Sequence, residues 1–218
     1  MLFFEEKIMM IFRDREEAAR RLAEALVQYR GQHPLVLAIP RGAVPMAKII
    51  AAALGGEVDV VLVRKLRAPG NPEFAIGSVD ESGWTYLGDY AGRVAGSSQY
   101  IEAEKETQLK VMRERRASYT PVRPPLDPAG RIVIVVDDGL ATGSTMIAAL
   151  HALRAKHPQK LICAVPVAPP DTLAKVEPYA DEVVCLSAPD YFSAVGQFYQ
   201  SFPQVSDEEV IELLGETE

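Results

Sequence analysis

The sequence predicts an α/β fold built on a doubly wound, mainly parallel sheet, and three observations predict it. Short apolar runs at 34–40, 58–63, 131–136, 160–167 and 181–186 read as strands buried on both faces. Helical patterns at 44–54, 144–156 and about 171–176 alternate with them, as strand–helix–strand crossovers require. The strand at 131–136 runs straight into two aspartates and then a stretch of Gly, Ala, Thr and Ser, and the carboxyl edge of an open parallel sheet is where ligands bind. With 218 residues the chain reads as a single domain, 1–218.

Each element has its own signal. Residues 13–29 carry Ala18, Leu22, Ala25, Leu26 and Tyr29 at helical spacing, with Asp14 as N-cap and Glu17 placed as in a capping box. The helix at 44–54 stops at Gly55-Gly56. Residues 64–74, RKLRAPGNPEF, lack periodicity and hold two prolines and a glycine, so they predict a loop. AIGSV and WTYL predict a small hairpin about Asp80–Gly83. A long helix from about Ser98 to Ser118 is acidic in its first half and basic in its second, which suits the helix dipole. TPVRPPLDPAG is a proline-rich connector. From Ser187 the alternation ends and aromatics gather, so 187–218 is expected as an addition to the sheet.

Composition narrows the function. A net charge of −7 argues against non-specific nucleic-acid binding. Cys163 and Cys185 lie in apolar strands without a CxxC partner, which favours buried free thiols in a reducing compartment. His33, His151 and His157 form no ligand-spaced set. The amino-terminal MLFFEEKIMMIF is broken by Glu5, Glu6 and Lys7 and lacks a cleavage site, and no run is long enough to span a bilayer. A cytoplasmic protein without membrane or nucleic-acid partners is expected.

The chemistry is concentrated in VVDDGLATGST. Residues 141–145 open a helix, and the free amides of a helix N-terminus suit a phosphate. Ala141, Gly143 and their small neighbours let the phosphate approach, while Thr142, Ser144 and Thr145 offer hydroxyl donors. No lysine follows Gly143, so this is not a Walker A loop. Asp137 and Asp138 would repel that phosphate at contact, but they suit vicinal hydroxyls a few ångströms away. A ribose 5-phosphate meets both demands. The bland alternative, a turn at Asp138-Gly139 followed by a helix cap, explains one acid and one hydroxyl but not the pair with the whole loop.

VVDDGLATGST resembles the phosphoribosyl-pyrophosphate motif of the type I phosphoribosyltransferases, and RGAVP and VGQFY resemble segments of uncharacterised predicted members. The resemblance implies a core parallel sheet, a flexible loop and a C-terminal hood, here 187–218. It implies Mg²⁺-dependent transfer of a 5-phosphoribosyl group from phosphoribosyl pyrophosphate to a nitrogen nucleophile, expected to be a nucleobase, with release of pyrophosphate. Asp137 and Asp138 would hold the ribose hydroxyls and meet Mg²⁺ through water. Arg41 and Gly42 in AIPRGAVP would form the pyrophosphate loop, where relatives often carry a cis peptide, by position Pro40–Arg41. Arg64, Lys65 and Arg67 would close over the leaving group, so Asp137, Asp138, Lys65 and Arg41 are the expected catalytic residues. Tyr191 or Phe192 would stack on the base.

One departure stands out. The 6-oxopurine enzymes carry an aspartate where this chain has Ala141, which speaks against that route for the base proton and leaves a hood residue such as Asp190 as a substitute. Two alternatives stand beside transfer: a regulatory protein that binds phosphoribosyl pyrophosphate without turnover, and a phosphosugar hydrolase on the same fold. Aromatics near the loops leave room for a homodimer.

Overall fold

A computed structural model describes residues 11–215. The amino-terminal stretch 1–10, which carries most of the segment weighed above as a leader, lies outside them, as do 216–218. Five strands form a parallel sheet: β1 (Leu35–Ala38), β2 (Glu57–Val60), β6 (Ile132–Val136), β7 (Lys160–Val167) and β8 (Glu182–Ser187), in the order β2-β1-β6-β7-β8. Between them β3 (Val63–Ala68), β4 (Asn71–Asp80) and β5 (Thr85–Leu87) form a separate antiparallel sheet.

The doubly wound prediction holds because successive strand residues face opposite sides. Val36, Ala38, Ile134, Val136, Ile162 and Ala164 share one core with α1 (Arg15–Ala25) and α2 (Val44–Leu54). Leu35, Leu37, Val133, Val135, Leu161 and Cys163 share the other with α5 (Ser144–Arg154). Both cysteines are free; Cys163 is buried in β7 and Cys185 half-buried in β8, and burial pushes both thiols up. Among the described residues no helix is long and apolar enough to cross a membrane.

Several boundaries differ from the sequence prediction. The expected loop at 64–74 is a hairpin, β3 and β4 joined at Pro69-Gly70, with Gly70 at φ +71°. Its glycine and first proline mark a tight turn rather than a loop. The strand expected at 58–63 is cut in two. Val61 still donates to Ala38 O at 3.0 Å, but Val63 already pairs with Asp80 in the other sheet. The first helix ends at Ala25 and tightens into a 3₁₀ turn at Val27–Tyr29. Asp14 caps it by accepting from the Glu17 amide at 2.8 Å, while the Glu17 carboxylate takes the Arg13 amide at 2.7 Å, one residue before the cap.

The long helix, α4 (Ser98–Tyr119), matches its prediction; the short α3 (Ala91–Ala95) before it has no counterpart there. After β8 the chain forms a 3₁₀ turn at Val195–Phe198 and a final helix, α7 (Asp207–Gly215). This tail extends the α1/α2 core: Phe198, Val205, Val210 and Leu214 are buried there, and Phe12 N donates to Phe198 O at 2.8 Å.

Candidate functional site

The loops after β1 and β6 leave the sheet side by side, because Ala38 and Val136 are register partners. From β1 the chain crosses to β2 on one side, and from β6 to β7 on the other. Such a switch point opens a crevice beyond the strand ends. A cavity of about 430 Å³ lies there. It gathers Arg41 and Gly42 from the first loop, Asp137, Asp138, Ala141, Thr142, Gly143 and Thr145 from the second, and Arg64, Lys65 and Arg67 from β3.

The acidic pair sits at its floor. Asp137 Oδ1 accepts from the Asp138 amide at 2.9 Å. Burial and the neighbouring Asp138 charge push the Asp137 carboxyl well above the usual carboxylate range. Burial also raises Asp138, against the pull of Arg15. The charge of Lys65 favours ionisation of both. Two crowded carboxyls of this kind gain most from hydroxyl donors or a cation. The donor set suits Mg²⁺, which accepts hard oxygens and fills most of its shell with water and substrate oxygens. Among the described residues no group of three or more His, Cys, Asp or Glu side chains could form an all-protein cage.

The second loop is shaped for an anion. Gly143 caps α5 at φ +76°, and a Cβ there would meet Thr172 Cγ2 at 2.9 Å, so glycine is needed both for the turn and for the packing. Thr172 Oγ1 donates to Ala141 O at 2.6 Å and fixes the loop to α6 (Pro170–Val176). Thr142 and Thr145 line the cavity; Ser144 is buried beneath and accepts from Thr142 Oγ1 at 3.2 Å. The Ser144 amide donates to Thr142 Oγ1 at 3.5 Å, and the next amides of a helix's first turn, which have no intrahelical acceptor, are the ones an anion can take.

The first loop carries a cis peptide at Pro40–Arg41, the position that the resemblance indicated. Gly42 makes room for the acids: a Cβ on it would stand 2.2 Å from Asp138 Oδ2. Arg41 faces the cavity and also reaches Asp207 Oδ2 at 3.4 Å. On the hairpin, Arg64 Nε donates to Gln108 Oε1 at 3.0 Å, the Arg67 amide to Glu104 Oε1 at 3.1 Å, and Tyr100 OH to Arg67 O at 2.9 Å. Ser78, the register partner of Lys65, donates to Ser144 O at 2.6 Å. The cationic strand is therefore fastened to α4 and α5. Burial and the charges of Arg115, Arg67 and Arg41 lower Arg64, a measure of how much positive charge converges here.

The tail supplies less of the cavity than the resemblance implied. Val195 lines it, whereas Tyr191 and Phe192 do not: Tyr191 is 89% exposed, and Phe192 packs on Phe198 at 5.0 Å between ring centroids. Asp190 is exposed as well. Other residues, silent in the sequence, converge instead. Arg15 Nε and Nη2 both donate to Asp138 Oδ2, at 2.9 and 2.8 Å. Tyr199 OH donates to Asp138 O at 2.7 Å, and burial and the Asp138 charge hold that phenol protonated. Arg115 and Tyr119 of α4 meet Asp207 at 3.1 and 2.7 Å. The one local hint was the arginine in the first turn of α1, an end where a cation is disfavoured.

Comparison with known proteins agrees with this geometry. The family described as "Phosphoribosyl transferase domain" matches residues 10–202. The crystal structure of TT1426 from Thermus thermophilus is 48% identical, covers 95% of this chain and 99% of its own, and superposes with a TM-score of 0.79. A Mycobacterium tuberculosis protein named "Putative phosphoribosyl transferase Rv0571c" is 42% identical over 207 residues, 94% of this chain and 47% of its own. The chain thus spans about half the length of the curated relatives it matches. With the family model matching residues 10–202 and these relatives 42% and 48% identical across nearly the whole chain, the protein belongs to the phosphoribosyl transferase domain family.

Proposed function

We propose that the protein transfers a 5-phosphoribosyl group from phosphoribosyl pyrophosphate to a nitrogen nucleophile, with Mg²⁺, and releases pyrophosphate. The observation that carries this reading is the three-sided cavity: an anion loop at 141–145, an acidic pair at 137–138 and a cationic wall of Arg41, Arg64, Lys65 and Arg67. A phosphate, a diol and a pyrophosphate each find a complementary wall. Asp137 and Asp138 hold the ribose hydroxyls. Ala141, Thr142, Gly143 and Thr145 line the cup for the 5-phosphate, and Ser144, buried beneath them, contributes from the first turn of α5. Arg41, Gly42 and the hairpin cations receive the leaving group, whose charge grows as the bond to the ribose breaks. Asp137 and Asp138 are the residues that would hold Mg²⁺, through water as the resemblance implies, and the ion would supply further charge neutralisation.

A second reading, hydrolysis of the donor, has one observation in its favour. The aromatics expected to cover a nucleobase do not line the cavity, and Val195 stands at its edge instead. One experiment separates the two. The protein is incubated with phosphoribosyl pyrophosphate, Mg²⁺ and a panel of nucleobases and small amines, and pyrophosphate is measured. Release that depends on one acceptor supports transfer. Release without any acceptor supports hydrolysis, and tight donor binding without release refutes both.

A further inference from the structure

We propose that Arg15 is a positioning residue for the ribose site, holding Asp138 so that its Oδ1 stays open to the cavity and tying that orientation to the tail segment 199–203. The inference rests on the reading of Asp138 as a ribose ligand. Both Arg15 donors fall on one oxygen, Oδ2, while Oδ1 accepts no hydrogen bond from another described residue. The carboxylate is therefore fixed by one oxygen and leaves the other for a hydroxyl.

The remaining faces of Arg15 are used as well. Nη1 donates to Pro203 O at 2.6 Å, and the guanidinium carbon lies 3.8 Å from the centroid of the Phe202 ring. Phe202 in turn stacks on Tyr199 at 4.7 Å, and Tyr199 OH holds the Asp138 carbonyl. Segment 199–203 thus grips Asp138 twice: through its main chain directly, and through its carboxylate by way of Arg15.

Ordinary stabilisation does not account for the arrangement. Arg15 stands in the first turn of α1, where a positive charge opposes the helix dipole, yet its side chain is only 12% exposed. Gly42 leaves a gap where a Cβ would strike Asp138 Oδ2 and approach Arg15 Nη2 to 3.0 Å. The chain therefore makes room on the cavity side for this pair. Arginine is needed because a lysine cannot place two donors on one oxygen while reaching a second acceptor on the far side, here Pro203 O.

The test uses the full chain and its Arg15→Gln and Arg15→Lys variants. Ribose 5-phosphate, 2-deoxyribose 5-phosphate, 3-deoxyribose 5-phosphate and inorganic phosphate are titrated by calorimetry, with melting followed by circular dichroism. The wild type should prefer the ribose compound over at least one deoxy analogue. In Arg15→Gln that preference should shrink about tenfold or more, the scale of one lost charge-assisted bond, with inorganic phosphate affinity unchanged. Arg15→Lys should recover part of it. Retained preference in a folded Arg15→Gln overturns the proposal, as does equal loss for all four ligands. If Arg15→Gln does not fold, Arg15→Lys decides: preference at the wild-type level overturns the proposal, and reduced preference supports it. A wild type without any preference refutes the ribose reading itself and this inference with it.

Discussion

Gly42→Ala isolates the contact between the two loops. The added Cβ would stand 2.2 Å from Asp138 Oδ2 and 3.0 Å from Arg15 Nη2, so something must move. Both atoms are ends of side chains rather than backbone, and Gly42 has no positive φ, so the fold can absorb the methyl. The cost to stability should be about 1–2 kcal/mol, at the lower part of the range for overpacking. The greater loss is functional. The displaced carboxylate forfeits a charge-assisted bond to a ribose hydroxyl, worth about 1.5–3 kcal/mol, so ribose 5-phosphate should bind roughly tenfold to a hundredfold more weakly. Calorimetric titration measures the affinity, and urea denaturation the stability. Gly92→Ala is the control: nothing lies within 4 Å of its added Cβ, and it sits in α3, where alanine should stabilise by about 0.5–1 kcal/mol. Ribose 5-phosphate affinity within about twofold of wild type in Gly42→Ala would refute the placement of Asp138 at the diol.

Three further outcomes are expected. Thr142→Val should weaken ribose 5-phosphate about fivefold, for one neutral hydrogen bond, and leave unphosphorylated ribose unaffected; equal losses for both ligands would contradict the phosphate cup. Burial works to raise Asp207, but Tyr119 OH and the charges of Arg115 and Arg41 outweigh it and hold the carboxyl below its usual range. A depressed folded-state pKa means stability that is present above the unfolded value and lost as pH falls through the folded one, so the advantage of wild type over Asp207→Asn in denaturant should shrink as pH drops below about 4; a constant difference across that window would count against the pairing. Ser78→Ala leaves the Ser144 carbonyl without its buried donor, which should cost about 1–2 kcal/mol and speed amide exchange in β3 and β4, and unchanged exchange there would show that the hairpin is held by other contacts.

The parts of the fold and site legible in the sequence are those whose signal is contiguous. Asp137 to Thr145 announce strand end, acidic pair and helix cap within nine residues, and the apolar runs of β1, β6, β7 and β8 are short and uninterrupted. The hairpin was hidden because its inward positions, Leu66 and Ala68, alternate with Lys65 and Arg67, and the cations beside a proline–glycine turn mask a period of two. Val61 and Leu62 continue an apolar run while the chain changes sheets, and that switch depends on partners rather than on composition. Arg15 and Asp138 are 123 residues apart, and Tyr119 and Asp207 are 88, so no local pattern joins them. Tyr191 and Phe192 show the converse: aromatic composition marks a surface-seeking or core-seeking ring equally, and here one points out while the other packs inward.

The bonds from Glu104, Gln108 and Tyr100 to the cationic strand bear on how this scaffold could be re-engineered. A hairpin transplanted alone from a relative would still offer its main-chain N–H and C=O to Glu104 and Tyr100, but without an arginine at position 64 it would leave Gln108 Oε1 unmet. A cassette from Val63 to Tyr119 would carry hairpin and long helix together but must keep Ser78 for the Ser144 carbonyl of α5, and chimeras cut inside that span should lose order in the strand that carries Lys65 before they lose the parallel sheet beneath.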